Sequence, residues 1–502
     1  MSIEFDPYAI LGLTHDATPD DIKAAYRRAA RRLHPDVNQH NPGAVVQFQD
    51  ITTSYELLLD ERKRNAYLET AKTSRPSSSG FIFRVTPSKR AVMPLPESQV
   101  VYLLAEIIPD TRDPIATFKR ESRLNLALIL DRSRSMAGIR LEKVKVAAHQ
   151  IIDQLTPEDI FSVVTFNDFG EVVIAATPVK DKPALKARVS MMAAEGSTEM
   201  FQGLSLGIEE VRRFLAPRLV NHAILLTDGA TYGDEQKCLE LAKEAAAEGI
   251  SISAMGLGQD WNDKFLDNLA SLTGGHSAYV NTSSAVVRFL NDHVRNLANV
   301  YAERIQLSVA PDPDITLESA FKLAPNPQPL SVDSGYIPLG SLQVNRTISV
   351  LLQLELPASL KEGFRSVARL VSQGDIFLER IHKFQGITDI SLEVNAHPPV
   401  EDPPTSILDA LGKLTLYRMQ ERAQEALDRG DVQEATRRLQ ILGTRLTEMG
   451  QPELGAQALA EARNVSKTSM LSEQGRKSLK YTTRFLLAAP PESDDGHGVT
   501  TE

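Results

Sequence analysis

Between residues 121 and 300, short and almost unbroken apolar runs alternate with longer amphipathic stretches. The runs LNLALIL (124–130), IFSVVTF (160–166), HAILLT (222–227) and ISISAMGLG (250–258) have the length of strands. Strands that are apolar on both faces belong to sheets covered on both sides, the usual state of parallel sheets. LEKVKVAAHQIIDQL (141–155), MFQGLSLGIEEVRRFL (200–215) and CLELAKEAAAEG (238–249) carry their apolar residues at helical spacing. This alternation predicts a doubly wound α/β domain. Ligands of such a sheet bind outside the carboxyl ends of its strands. The first run ends in Asp131, with Ser133 and Ser135 just beyond it, and the third ends in Asp228. The segment EGSTEM places Thr198 in a loop ahead of a helix. Two carboxylates and three hydroxyls are hard oxygen donors that suit magnesium. Taken singly, an Asp or Ser after a strand is also an ordinary helix N-cap.

The flanks differ in texture. Residues 5–70 have helical spacing, and 71–80 (AKTSRPSSSG) read as a flexible linker. FIFRV and QVVYLLAEI make 81–120 an extended segment, and ERIQLSVA, TISVLLQLEL, SVARLVS and ISLEV make 301–398 a β-sandwich. Both segments flank the α/β domain, so the first is expected to pair with the second. Residues 405–487 are helical, with breaks at Gly430-Asp431 and Gly450-Gln451-Pro452, and predict a hairpin or small bundle. The polar tail 488–502 is expected to be disordered.

Composition narrows the function classes. The 502 residues allow about three domains. A net charge of −10 argues against a general nucleic-acid binder. The lone Cys238 excludes internal disulfides and multi-cysteine zinc sites, and it fits a reducing compartment. The acidic start, Met-Ser-Ile-Glu-Phe-Asp, lacks the apolar run of a secretory signal. No apolar stretch approaches the ~20 residues that span a bilayer. The expectation is a cytoplasmic protein with no membrane insertion.

In 19–33 (PDDIKAAYRRAARRL), Ile22, Tyr26, Ala29, Ala30 and Leu33 fall on one side of a helix and Lys23, Arg27, Arg28, Arg31 and Arg32 on the other. A second helix over 45–59 aligns Phe48, Ile51, Tyr55 and Leu58, so the two can zip antiparallel with the loop 34–44 at their tip. His34-Pro35-Asp36 opens that loop, where proline stops the helix and sets an imidazole and a carboxylate beside a rigid point. A bare tripeptide of this kind is also a plain helix stop. In the order DPYAILGL, basic helix, His34-Pro35-Asp36 and FQDITTSYELLLDERKRNAY, however, about 65 residues resemble the J domain of DnaJ-type co-chaperones. The resemblance implies that His34, Pro35 and Asp36 activate the ATPase of a DnaK-type chaperone. It also implies that Lys23, Arg27, Arg28 and Arg31 dock on an acidic surface of that partner. Leu33 stands where many relatives have Tyr, and the Gly/Phe-rich segment and CxxCxGxG repeats of full-length DnaJ are absent.

LNLALILDRSRSMAG, the Gly-Ser-Thr at 196–198 and AILLTDG resemble a von Willebrand factor A domain with its metal-ion-dependent adhesion site, over about 180 residues. The family implies direct coordination of magnesium, with manganese or calcium as alternatives, by Ser133, Ser135 and Thr198. Asp131 and Asp228 act mainly through water, and an acidic side chain of a partner protein fills the open position. Arg134 and Ser197 replace glycines often seen in the motif. The segments around this domain are similar to bacterial von Willebrand A proteins of the calcium-activated-channel-like group, which gives no reason to read a channel here.

Gly203-Leu204-Ser205-Leu206-Gly207 matches the GxSxG of hydrolases, which needs a strand directly before it. Here it falls inside an amphipathic helix, and there is no P-loop or HExxH motif. The expected protein is a non-enzymatic J-domain co-chaperone with a metal-dependent protein-binding module. The rivals are an A-domain scaffold that recruits a chaperone, and a hydrolase using Ser205.

Overall fold

The structure, a computed structural model, describes residues 7–11, 13, 17–33, 42–65, 67, 81–109, 123–231, 233–280, 282–332, 335–377, 381–399 and 402–488. The N-terminal segment holds α1 (Pro7–Ile10), α2 (Pro19–Leu33) and α3 (Pro42–Leu59). Thr18 starts α2 with a reciprocal cap. Its backbone N–H and hydroxyl donate to Asp21 Oδ2 at 2.9 and 2.6 Å, and Asp21 N donates back to Thr18 Oγ1 at 3.2 Å. Ile22 and Ala25 of α2 pack with Ile51 and Leu58 of α3, and with Tyr8 and Leu11. Tyr26 stacks on Tyr55 with ring centres 4.0 Å apart. His34, Pro35 and Asp36 lie outside the described residues, as do 71–80, 110–122 and the tail 489–502.

Strands β1 (Phe81–Pro87), β2 (Ala91–Val92) and β3 (Gln99–Pro109) precede the central domain. That domain runs β4 (Arg123–Asp131), α4 (Ile139–Gln154), β5 (Ile160–Phe166), β6 (Gly170–Pro178), α5 (Lys182–Ser190), α6 (Met200–Arg212), β7 (Leu219–Gly229), α7 (Glu235–Ala247), β8 (Ser251–Asp260), α8 (Asp263–Leu272), β9 (Ser277–Val280) and α9 (Ser283–Leu297). The strand order is β6-β5-β4-β7-β8-β9, parallel except for the edge strand β6. β4 and β5 are buried almost throughout because helices cover both faces of the sheet.

The chain then continues through β10 (Val300–Pro311), β11 (Thr316–Ala324), β12 (Gln328–Leu330), β13 (Ile337–Gln343), β14 (Ile348–Leu356), β15 (Gly363–Phe377) and β16 (Ile381–Val394). Two five-stranded sheets, β1-β3-β14-β11-β12 and β13-β10-β15-β16-β2, enclose one apolar core. The α/β domain is inserted between β3 of one sheet and β10 of the other.

A separate C-terminal unit contains α10 (Thr405–Asp428), α11 (Val432–Glu448), α12 (Pro452–Thr468) and α13 (Glu473–Ala488). Gly430 and Gly450 take φ of +80° and +76° at the helix ends, Asp431 caps α11, and Pro452 opens α12. Gly443 and Gly455 let α11 and α12 cross with backbone near backbone. Among the described residues no helix is long and apolar enough to cross a membrane.

The α/β domain meets the sandwich along the amino-terminal edge of its sheet. Gly274 (φ +74°) and Gly340 (φ +83°) touch backbone to backbone, where a β-carbon on either would collide with the other's backbone. Gln328 Nε2 donates to the Gly275 carbonyl at 2.9 Å. Beside this seam, His222 of β7, Ser253 of β8, His276 and His293 of α9 form a buried chain. His293 Nε2 lies 3.1 Å from His222 Nε2, which lies 3.1 Å from Ser253 Oγ, and Ser253 Oγ lies 3.3 Å from His276 Nδ1. Burial, and then neighbouring imidazoles, hold His222 and His276 well below the ordinary histidine range, with Lys322 of β11 adding to the effect on His276. Burial alone takes His293 to about 4 and Lys322 to about 8.

The unfolded chain protonates these three histidines at about 6.5 while the folded chain does not, so this stabilisation is complete above that pH and is lost as pH falls toward 4. Urea unfolding, followed by the fluorescence of the single Trp261, should weaken by up to about 1.4 kcal/mol per pH unit for each histidine below pH 6.5. His293→Gln should flatten that slope, and an unchanged slope would remove His293 from the acid response.

Candidate functional site

β4 sends its connection to β5 on one side and has β7 as its neighbour on the other, so the loops after β4 and β7 diverge and leave a crevice. The crevice holds all five oxygen donors expected from the sequence. Asp131 ends β4, fully buried, accepting from Ser133 N at 2.8 Å and from the Thr227 hydroxyl at 2.7 Å. Burial pushes the Asp131 carboxyl up from its ordinary range, and the charge of Asp228 adds to the rise against the hydrogen bonds from Ser133 and Thr227. Ser133 Oγ stands 3.0 Å from Ser135 Oγ, and Ser135 donates to Asp228 Oδ1 at 2.6 Å. Thr198 is buried, and a β-carbon added at Gly229 would stand 3.5 Å from its hydroxyl.

Arg140, in the first turn of α4, has no sequence signature. Its Nη1 donates to Asp228 Oδ2 at 2.5 Å and to the Ser135 carbonyl at 3.2 Å. Arg134, the unusual residue in the motif, is exposed instead.

The loops are clamped together by backbone and side-chain bonds. Arg132 N donates to the Phe166 carbonyl at 2.9 Å, Glu195 N to the Arg132 carbonyl at 2.8 Å, and Arg134 N to the Gly196 carbonyl at 3.2 Å. The Arg132 side chain reaches Glu195 at 2.8 Å and Glu171 at 3.1 Å. Asn167 Nδ2 donates to the Glu195 carbonyl at 3.1 Å, and the Asn167 carbonyl accepts from Glu199 N at 2.7 Å. The start of α6 is tied to the loop after β7 by Met200 N to Thr231 Oγ1 and Phe201 N to Asp234 Oδ2, at 3.2 and 2.8 Å.

The donor chemistry fits a hard divalent cation. Two carboxylates are held out of water beside three hydroxyls, and one carboxyl is already raised for want of solvation. Among the described residues no cluster of three or more His, Cys, Asp or Glu side chains could hold a metal, so softer nitrogen or sulfur sites have no counterpart there. Ser205 lies within α6, where a β-carbon at Gly203 would come 2.6 Å from Phe166 and one at Gly207 would run into Ile129. Those glycines let the helix lie on β4 and β5, and the strand–turn–helix setting of a nucleophile elbow is missing.

On α2, Arg27, Arg28 and Arg31 are exposed, while Lys23 is half-exposed and 3.6 Å from Asp20. The four basic positions sit on an open helix face.

Comparison with known proteins agrees with this architecture. Residues 6–67 match the DnaJ domain, 125–293 the von Willebrand factor type A domain, and 405–489 the Sll0103-like C-terminal alpha-helical domain. The chain is 27% identical over 388 residues to the uncharacterized protein sll0103 of Synechocystis sp., covering 75% of this chain and 91% of that protein. Its N-terminus is 50% identical over 62 residues to the chaperone protein DnaJ of Carboxydothermus hydrogenoformans, covering 12% of this chain and 16% of that chaperone. A von Willebrand factor type A structure from Catenulispora acidiphila superposes with TM-score 0.64 at 17% identity, over 81% of this chain and 97% of that one. The ArnB paralog VWA2 from Sulfolobus acidocaldarius gives a TM-score of 0.52 at 14% identity, over 82% and 99% of the two chains. The chain is thus a J domain fused to a von Willebrand A protein with a helical C-terminal domain. A J domain implies co-chaperone activity toward a DnaK-type chaperone, and an A domain implies protein binding.

Asn167→Ala removes the side-chain bonds to the Glu195 carbonyl and the Phe169 N–H. It should lower stability by about 1–2 kcal/mol. Amide exchange across 195–199 should accelerate, and protection equal to that of the unaltered chain would show that the loop is held by other means.

Proposed function

We propose that the protein is a non-enzymatic, cytoplasmic co-chaperone that stimulates a DnaK-type ATPase while its A domain holds a protein ligand. His34, Pro35 and Asp36 act on the chaperone, and Lys23, Arg27, Arg28 and Arg31 supply the cationic docking face. The match of 62 residues to a DnaJ chaperone, with three of those bases exposed on α2, supports this half of the reading.

For the other half, Asp131, Ser133, Ser135, Thr198 and Asp228 hold magnesium, with manganese or calcium as substitutes. The bound ion supplies a positive centre that accepts a carboxylate. The chain's own contribution is to fix its donors on rigid strand ends and to shape the rim that selects the partner. The observation carrying this is the pair of buried carboxyl groups, Asp131 and Asp228, with the Ser135 hydroxyl beside Ser133 Oγ reaching across the crevice to Asp228. The alternative is an A-domain scaffold that only localises a chaperone; it shares the metal chemistry and differs in giving no ATPase stimulation.

Steady-state ATP hydrolysis by a DnaK-type chaperone should rise several-fold with the full chain and return to its basal rate with His34→Gln. Equal stimulation by both proteins would refute the co-chaperone half, and no stimulation by either would favour the scaffold. Partner capture from a crosslinked lysate should require magnesium and fail with chelator or with Asp131→Ala. The same partners recovered in all three conditions would dismiss a metal-dependent contact.

A further inference from the structure

Arg140 is placed where a second cation has business. Its guanidinium lies against the carboxylate of Asp228 at 2.5 Å and also holds the Ser135 carbonyl, so it touches two of the five residues that would hold the metal. The two partners differ in freedom. The Asp228 side chain is 0% exposed and fixed at the end of a central strand, whereas the Arg140 side chain is 37% exposed and has a path to water. The arginine lies two residues after Gly138, whose φ is +78° and whose missing side chain would meet nothing within 4 Å. On its far side runs Gly258 at the end of β8, also at positive φ, where a β-carbon would stand 3.4 Å from Arg140 Nη2. The guanidinium therefore occupies a slot between β7 and β8 that opens outward.

The charge balance gives the slot a meaning. Asp131 and Asp228 set two carboxyl groups side by side in a buried crevice. Arg140 neutralises one of them, at the oxygen of Asp228 that Ser135 does not use. A divalent ion would neutralise both. Ion and guanidinium then draw on the same carboxylate, and hydrogen bonds to charged groups are the strong ones.

We propose that Arg140 is a resident competitor for the metal, so that loading the centre is an exchange of one cation for another. The inference rests on the metal reading above. It makes affinity for the ion weaker than the five donors alone would give. It also releases a guanidinium at the rim when the ion enters, where the carboxylate of an acidic partner can receive it. Metal loading and acid capture are then coupled through one side chain: Arg140 pairs with Asp228 in the absence of the ion, and with the partner in its presence.

The test is manganese titrated into the full chain by calorimetry at fixed ionic strength, beside Arg140→Gln, Arg140→Lys and Asp131→Ala. Arg140→Gln should bind manganese about tenfold more tightly or better. Arg140→Lys should stay near the unaltered chain, because it keeps the charge, and Asp131→Ala should lose binding. A second readout is the fluorescence of Trp261, whose indole donates to the Gly258 carbonyl at 2.9 Å, on the strand end that borders the guanidinium. Magnesium should change that fluorescence in the unaltered chain and change it much less in Arg140→Gln. Thermal melts in chelator check that each variant is folded, and Arg140→Ala replaces Arg140→Gln should the latter fail to fold. Equal or weaker manganese binding by Arg140→Gln, with Asp131→Ala still defective, overturns the competitor and leaves the metal centre standing. Binding that is absent throughout, or indifferent to Asp131→Ala, overturns the centre and the competitor together.

Discussion

The central domain depends on two carboxylates that its sheet carries out of water. Asp131 and Asp228 end neighbouring parallel strands, so their separation is set by strand spacing and register rather than by loop conformation. Burying two neighbouring acids is costly unless polar groups satisfy them. The surroundings show the accommodation: Thr227 and Ser133 donate to one acid, Ser135 and Arg140 to the other. The crevice thus sets two buried carboxyl groups against one guanidinium.

Around that pair the loops are held by their neighbours. Asn167 and Arg132 join the turn after β5 to the segment 195–199, and Thr231 with Asp234 ties the start of α6 to the loop after β7. The backbone groups of these loops have partners within the chain, so the loops are held in place by the fold itself. Arg140 stands apart from that rigidity, being half in solvent on an otherwise fixed rim.

Much of this was legible in the chain. The apolar runs at 124–130, 160–166, 222–227 and 250–258 fall within β4, β5, β7 and β8, give or take a residue, because strands buried on both faces leave an unbroken signal. β6 escaped notice because an antiparallel edge strand is half-solvated and its sequence GEVVIAATP reads as mixed. β9, with four residues, and β12, with three, are too short for any period to show. In the C-terminal unit, the glycines and Pro452 announced two helix ends. The third turn, at Ser469 with φ +59°, has neither glycine nor proline and merged two helices into one reading. The five oxygen donors are visible because they sit at strand ends or in a recognisable loop. Arg140 is not, since its position follows from the path of α4 past β7, a tertiary fact without a local pattern.

The insertion of the α/β domain gives the molecule a mechanical property. A module strung on one flexible tether can tumble, but this one leaves the sandwich from β3 in one sheet and re-enters it at β10 in the other. It is held against both sheets, with Gly274 packed on Gly340 of β13 in one and the Gly275 carbonyl bonded by Gln328 of β12 in the other. A force on the α/β domain is passed at its two chain ends into strands of two different sheets. Shared in this way, a load falls on two hydrogen-bonded sheets rather than on one.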